Sequence, residues 1–317
     1  MTPLLVLCIV VGAAALCLAA ALFMQRETED VAQRGSCPPP GRFVSLPCGR
    51  THGVVEGVEH GDMVVLVPGA TLGLGVWHEL PAALVRQGYR VLRFDLLGRG
   101  LSDRPRLRYD ADLFDTQLTQ LLDSVAGVRP VHLVGLAFGC LVGAEFARRH
   151  PHRVQSLALL GPDGFGVSMT AGDRIRQWPG VGDVLVRCIG NRRLMARLDT
   201  YTAQASILAW LRALLADELK RKGFKRALLS SVRHMPIHDA RSLYREVDGA
   251  AFPMRVVWGA CDAITPVPHG AVLRGTFERA RVQVLPAVGH LPHVEALDQT
   301  VTLLCELFRP EKPSQAG

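Results

Sequence analysis

The alternation of short apolar runs with amphipathic stretches restricts this chain to a small set of folds. From Met63 onward, apolar runs end at glycine, proline or aspartate and are followed by apolar residues at helical spacing. The first run extends from Met63 to Val67 and stops at Pro68-Gly69. Runs without polar alternation are typical of strands buried on both faces of a parallel sheet that helices cover. We therefore predict an α/β fold with a mostly parallel central sheet and helices on both faces.

The same pattern continues along the chain and divides it into segments. The other strands are predicted at 90–94, 130–134, 154–160, 254–258 and 282–285, and helices at 78–87, 141–149 and 295–308. Between Gly166 and about Arg245 the strand pattern stops and only helical spacing remains, which favours a helical cap. The predicted organisation is a transmembrane anchor at 1–25, a linker and first strand at 26–52, core halves at 53–165 and 248–317, and the cap at 166–247.

The N-terminal segment has the composition of a membrane span. No charged residue occurs from Leu4 to Met24, a length that crosses a bilayer as a helix. A cleaved signal peptide is the alternative, because Ala19 to Ala21 offers a small-residue cleavage site, but no Lys or Arg precedes the apolar run. We expect a retained single-pass anchor. Arg26, Arg34 and Arg42 follow it, which weakly places the remaining chain on the cytoplasmic side.

Charge and cysteine content exclude several classes of function. The net charge is +7, and residues 166–247 alone carry 15 Lys and Arg against 7 Asp and Glu. This basic excess fits a solvated helical face or contact with an anionic membrane, and no nucleic-acid-binding motif accompanies it. The eight cysteines form no CxxC pair, so neither a zinc site nor a redox site is indicated. We expect a monomer without a metal or cofactor.

Five separate segments give the chain a family resemblance. They are Leu66–Ala70, Gly88–Pro105, Val131–Gly139, Trp258–Asp262 and Gly289–Glu295. In this order they resemble α/β-hydrolases of the esterase, monoacylglycerol-lipase and epoxide-hydrolase type. The resemblance covers roughly residues 53–308 and implies the α/β-hydrolase fold, with a helical cap over the active site.

The resemblance also implies a catalytic triad, of which one member is missing. The family's turn motif is G-x-S-x-G, which presents a nucleophilic serine between a strand and a helix. Here the motif is Gly135-Leu136-Ala137-Phe138-Gly139, so Ala137 occupies the nucleophile position. The resemblance assigns Asp262 as the acid and His290 as the base, in the order expected for this fold. Asp163 is the reserve candidate for the acid.

Other site residues follow from the same resemblance. The backbone N–H groups of Phe138 and of Ala70 or Thr71 are expected to form the oxyanion hole. Cys140 is considered as a substitute nucleophile, but its place inside the first helical turn directs it away from the site. In the cap, Trp178, Met195 and Trp210 are predicted to line a substrate pocket, with packing inside the cap as the alternative.

Three hypotheses about function remain open. The first is an ester or lipid hydrolase by descent, inactive or strongly impaired because Ala137 replaces serine. The second is a non-catalytic, membrane-tethered protein that binds a hydrophobic ester or a lipid-like molecule. The third is an enzyme that uses only the His290–Asp262 pair as a general base. An epoxide hydrolase or dehalogenase is excluded, because these enzymes need aspartate at position 137.

Overall fold

The structure is a computed structural model that describes residues 11–12, 15–16, 18–19, 27–31, 40–166, 174–175 and 177–309. Most of the predicted anchor at 1–25 lies outside these residues. Within the described part, no helix combines the length and the apolar character that a membrane span requires. The anchor therefore stays a prediction from the sequence.

The centre of the molecule is a twisted sheet of eight strands. In spatial order the strands run β1-β2-β4-β3-β5-β6-β7-β8. Neighbouring strands from β4 to β8 pair in parallel, whereas β1 and β2 join the β4 edge in antiparallel orientation. Their bounds are β1 Arg42–Leu46, β2 Gly49–Gly57, β3 Met63–Val67, β4 Arg90–Phe94, β5 Val131–Leu136, β6 Val154–Leu160, β7 Met254–Gly259 and β8 Arg281–Leu285.

Helices cover both faces of the sheet, as the apolar runs predict. Strands β3, β5 and β7 are buried along their whole length, because helices pack on each side. The helices are α1 Leu80–Arg86, α2 Ala111–Val125, α3 Phe138–Arg149, α4 Val181–Leu198, α5 Ala205–Lys220, α6 Phe224–His234, α7 Arg241–Asp248, α8 Gly270–Arg274, α9 Pro292–Glu295 and α10 Leu297–Phe308. The predicted last helix at 295–308 corresponds to α10, and the short helix α9 precedes it, separated by Ala296.

The N-terminal edge of the sheet differs from the prediction. One strand was expected within 26–52, but β1 and β2 form an antiparallel hairpin there, in which Leu46 pairs with Gly49. The two residues between them are Pro47 and Cys48. Because this turn lacks the Asn-Gly or Asp-Gly signal of common tight hairpins, the sequence pattern gave no sign of it.

Helices α4 to α6 pack on one another and form the cap, whereas α7 packs on α3 of the core; one buried carboxylate joins the cap to the core. Glu218, near the end of α5, accepts hydrogen bonds from the backbone N–H of Gly100 at 2.9 and 3.1 Å. The same carboxylate pairs with Arg221 and lies 3.8 Å from Arg104. Burial raises the pKa of Glu218 from its usual 4.5 to about 7, and the negative charge of Asp95 adds to the shift, while the two arginines oppose it.

This raised pKa predicts a pH-dependent contribution to stability. The folded state binds the Glu218 proton more tightly than the unfolded state, so the free energy of unfolding should fall as the pH rises from 4.5 to 7. The full loss is about 3 kcal/mol. Urea denaturation from pH 4.5 to 8 should show this fall in the wild-type protein relative to Glu218→Gln. The control Asp217→Asn removes an exposed carboxylate of the same helix and should follow the wild-type curve. Parallel wild-type and Glu218→Gln curves would contradict the prediction.

Candidate active site

The turn between β5 and α3 has the strained geometry of a nucleophile elbow. Ala137 lies between strand and helix with φ 49° and ψ −111°, a region that L-residues rarely occupy. A Cβ atom added to Gly139 would lie 2.0 Å from the carbonyl oxygen of Val67. One added to Gly135 would lie 2.7 Å from the backbone of Cys140. The two glycines therefore allow the tight turn that presents residue 137 at its apex.

Neighbouring backbone groups hold this turn in place. The Ala137 N–H donates to the carbonyl of Leu160 at 2.9 Å, and the Ala137 carbonyl accepts from the N–H of Cys140 at 3.0 Å. The Cys140 thiol donates to the carbonyl of Gly135 at 3.2 Å, and burial raises its pKa well above the usual value. Cys140 is therefore a buried thiol and not a substitute nucleophile.

The structure brings His290 and Asp262 together. His290 Nδ1 lies 2.8 Å from Asp262 Oδ2, and both side chains are almost completely buried. Asp262 also accepts from the N–H of Ile264 at 2.8 Å and from the N–H and hydroxyl of Thr265 at 2.9 and 2.8 Å. Burial raises the pKa of Asp262, but the hydrogen bonds from His290 and Thr265 outweigh it and leave this pKa below its usual value. The carboxylate thus stays ionised at neutral pH and orients the imidazole.

Tyr201 of the cap also positions the imidazole. Its carbonyl accepts the backbone N–H of His290 at 2.8 Å, and its ring meets the imidazole edge-on with centroids 4.9 Å apart. Its hydroxyl lies 3.4 Å from the hydroxyl of Thr71 in the loop after β3. Tyr201 therefore contacts both the base and the predicted oxyanion loop. The sequence gave no signal for this residue, because it follows a cap helix and belongs to no motif.

The predicted oxyanion residues lie around the elbow. Ala70 and Thr71 line the same cavity as Ala137 and His290. Phe138 is the first residue of α3, so its N–H has no acceptor within the helix. The guanidinium of Arg99 donates to the Ala70 carbonyl at 2.9 Å, which fixes the orientation of the loop. The sequence predicted neither this contact of Arg99 nor the contacts of Tyr201 with His290 and Thr71.

Two residues near the site have structural roles. Asp95 accepts from the N–H groups of Leu74 at 2.6 Å and Leu101 at 2.8 Å, and so braces the turn that follows β4. His293 lies 2.9 Å from the carbonyl of Val76, and burial lowers its pKa to about 4. It is therefore a neutral, buried ring at neutral pH.

The cavity above the elbow has a volume of about 580 Å³ and an aliphatic wall. Helices α4 and α6 supply most of this wall, including Leu185, Val186, Ile189, Leu194, Leu228 and Leu229. The three residues predicted to line the pocket lie elsewhere. Trp178 is 61% exposed, Trp210 packs edge-on against His78 with ring centroids 4.6 Å apart, and Met195 packs against the apolar core beneath the cap. Helical spacing alone could not distinguish the inner face of the cap from its outer face.

Among the described residues, no group of His, Cys, Asp or Glu is arranged to hold a metal ion. The groups that face the elbow and can take part in chemistry include the His290–Asp262 pair and backbone donors.

This combination of sheet, elbow and acid–base pair agrees with the comparison with known proteins. Residues 62–297 match the model of the alpha/beta hydrolase fold family, and the chain belongs to this family. A 2-hydroxy-6-oxononadienedioate/2-hydroxy-6-oxononatrienedioate hydrolase of Comamonas testosteroni is 26% identical over 75% of this chain and 84% of its own length.

Two solved structures share the fold at low sequence identity. The enol-lactonase of Burkholderia xenovorans LB400 has a TM-score of 0.70 and 21% identity, over 84% of this chain and 99% of that protein. An esterase of Exiguobacterium antarcticum has a TM-score of 0.70 and 17% identity, over 85% of this chain and 100% of that protein.

Proposed function

We propose that this protein binds a hydrophobic ester or lipid-like carbonyl compound in its cavity without forming an acyl-enzyme intermediate. The observation that carries the proposal is the methyl group of Ala137 at the apex of an otherwise intact elbow. Covalent acyl transfer needs a nucleophile at that point. Loss of a triad nucleophile costs about a million-fold in rate and leaves about a thousand-fold over water from binding and the oxyanion hole.

The remaining parts of the site support binding. A volume of about 580 Å³ lies within the range of small-molecule pockets, and the aliphatic wall suits an acyl chain. The elbow, the predicted oxyanion loop and the His290–Asp262 pair together suit a carbonyl group at the cavity floor. The relatives are a hydrolase of an oxo-dicarboxylate, an enol-lactonase and an esterase, and a carbonyl group is common to the compounds that these names imply.

The proposal is tested by separating binding from turnover. A fluorescent fatty acid and a medium-chain ester should bind the protein, while ester turnover stays close to the rate in buffer and a fluorophosphonate probe labels nothing. Ile189→Trp should weaken binding about tenfold or more, because Ile189 lines the cavity and the larger side chain fills part of it. Val128→Trp, at a position 83% exposed and away from the cavity, is the control. Efficient turnover with fluorophosphonate labelling would refute the proposal.

A second candidate function rests on the intact acid–base pair. His290 is held by Asp262 at 2.8 Å and by Tyr201, an arrangement that suits a general base acting without a covalent intermediate. In that case the protein would turn over a substrate without fluorophosphonate labelling, and His290→Gln would abolish the turnover. The binding proposal predicts no such activity to abolish.

A further inference from the structure

One acidic side chain of the cavity has no place in the acid–base pair. Asp163 follows β6 and lines the cavity together with Ala137 and His290. Asp262 accepts the hydrogen bond from His290, so Asp163 is not the acid of this pair. Among the described residues, no donor forms a hydrogen bond with the Asp163 carboxylate, whereas the Asp262 carboxylate accepts four.

The backbone around Asp163 is held firmly. Its carbonyl accepts the hydroxyl of Tyr244 at 2.8 Å, and its N–H donates to the carbonyl of Ala137 at 3.4 Å. Gly164, with φ 101°, packs so closely that an added Cβ atom would lie 2.5 Å from the Cβ of Ala240. The backbone that carries the Asp163 carboxylate is therefore held in place beside the elbow.

The surroundings of this carboxylate favour a partner in the cavity. Burial raises the pKa of Asp163; His290 and Arg197 oppose the shift, and Asp262 adds to it. Asp163 is only partly buried in the free protein, and a ligand that fills the cavity would take its carboxylate out of water, which is costly without a hydrogen-bond donor. A donor on a bound molecule would remove that cost, and a molecule without a donor would not. This difference makes the residue suited to discriminate between ligands.

We propose that Asp163 selects esters that carry a hydroxyl or a protonated amino group close to the ester carbonyl. The inference rests on the proposed function, since it requires the carbonyl to lie at the elbow and the acyl chain along α4 and α6. Asp163, next to the elbow in space, then accepts a hydrogen bond from the donor on the ligand. Its role is to determine specificity, and no covalent step is involved.

Two pairs of matched ligands test this selection. The first pair is 2-hydroxyethyl octanoate and propyl octanoate, which differ only by a hydroxyl in place of a methyl group. The second is 2-(dimethylamino)ethyl octanoate and 3-methylbutyl octanoate, in which a protonated amine replaces a branched carbon. Calorimetric titration of the full chain should give about tenfold or tighter binding of the donor-bearing ester in at least one pair. The pair that shows the preference identifies the donor.

Variants of Asp163 separate recognition from a structural role. Asp163→Leu should abolish the preference while still binding the propyl or 3-methylbutyl ester, because the aliphatic wall is unchanged. Asp163→Asn should keep part of the preference for the hydroxyl ester, since the amide oxygen still accepts a hydrogen bond. The control Asp112→Leu changes a carboxylate that is 81% exposed at the start of α2 and should behave as wild type.

The outcomes distinguish this inference from the proposed function. Equal binding of both members of both pairs by the wild-type protein overturns the role of Asp163 and leaves the proposed function standing. A preference that survives Asp163→Leu also overturns it. Failure of all four esters to bind overturns the proposed function, and with it the inference.

Discussion

Ala137→Ser is expected to raise the rate of ester hydrolysis by about a thousand-fold or more over the wild-type protein. Residue 137 already has the backbone angles of the elbow, so serine adds one hydroxyl without a change of the chain path. His290 and Asp262 are already paired at 2.8 Å to accept its proton and to stabilise the imidazolium that forms. The measurement is kcat/KM on medium-chain nitrophenyl esters for the two proteins.

Two control variants test whether the expected gain in ester hydrolysis requires a hydroxyl at position 137 and the imidazole of His290. Cys140→Ser introduces a hydroxyl three residues further on, where the present thiol contacts the carbonyl of Gly135, and should give no activity. The double variant Ala137→Ser/His290→Gln should lose the gain, because the serine then has no base. If Ala137→Ser is as inactive as wild type while it still binds the ester, the site cannot carry out acyl transfer even with a nucleophile. The hypothesis that this site descends from that of a serine hydrolase would then be wrong.

Much of this site could be predicted because its chemistry depends on short motifs. The elbow glycines leave a sequence signature since a side chain at either position would meet backbone atoms. Asp262 and His290 follow two strands whose ends meet at the same edge of a parallel sheet. Such features are local in sequence, and the fold brings them together. The strand pattern from Met63 was predicted for the same reason, because burial on both faces requires continuous apolar runs.

The missed features depend on contacts between segments far apart in the chain. Tyr201 is 89 residues before His290, and only the packing of the cap brings its carbonyl to the backbone N–H of His290. Glu218 reaches the N–H of Gly100 across 118 residues. The cavity wall was misjudged for a related reason. Large aromatic and sulfur-containing side chains in the cap were expected to face the ligand, but aliphatic residues of α4 and α6 do so.

Gly139→Ala is expected to lower the free energy of unfolding by about 3 kcal/mol or more, or to prevent folding. The added Cβ atom would lie 2.0 Å from the carbonyl oxygen of Val67 and 2.7 Å from that of Pro68. Both contacts are with backbone at the end of β3, so no side chain can rotate away to relieve them. Relief requires α3 to move away from β3, which also displaces residue 137 from the cavity.

Gly143→Ala is the matched control, one helical turn further along α3. Its added Cβ atom would meet only the Cδ1 atom of Leu157, at 3.5 Å, which is ordinary van der Waals contact. Because alanine favours a helix over glycine, this variant should be as stable as wild type or more stable by up to about 1 kcal/mol. Urea denaturation of the three proteins measures the difference. Equal stability of the two variants would show that the close packing of α3 on β3 does not exist, and the elbow geometry would lose its structural basis.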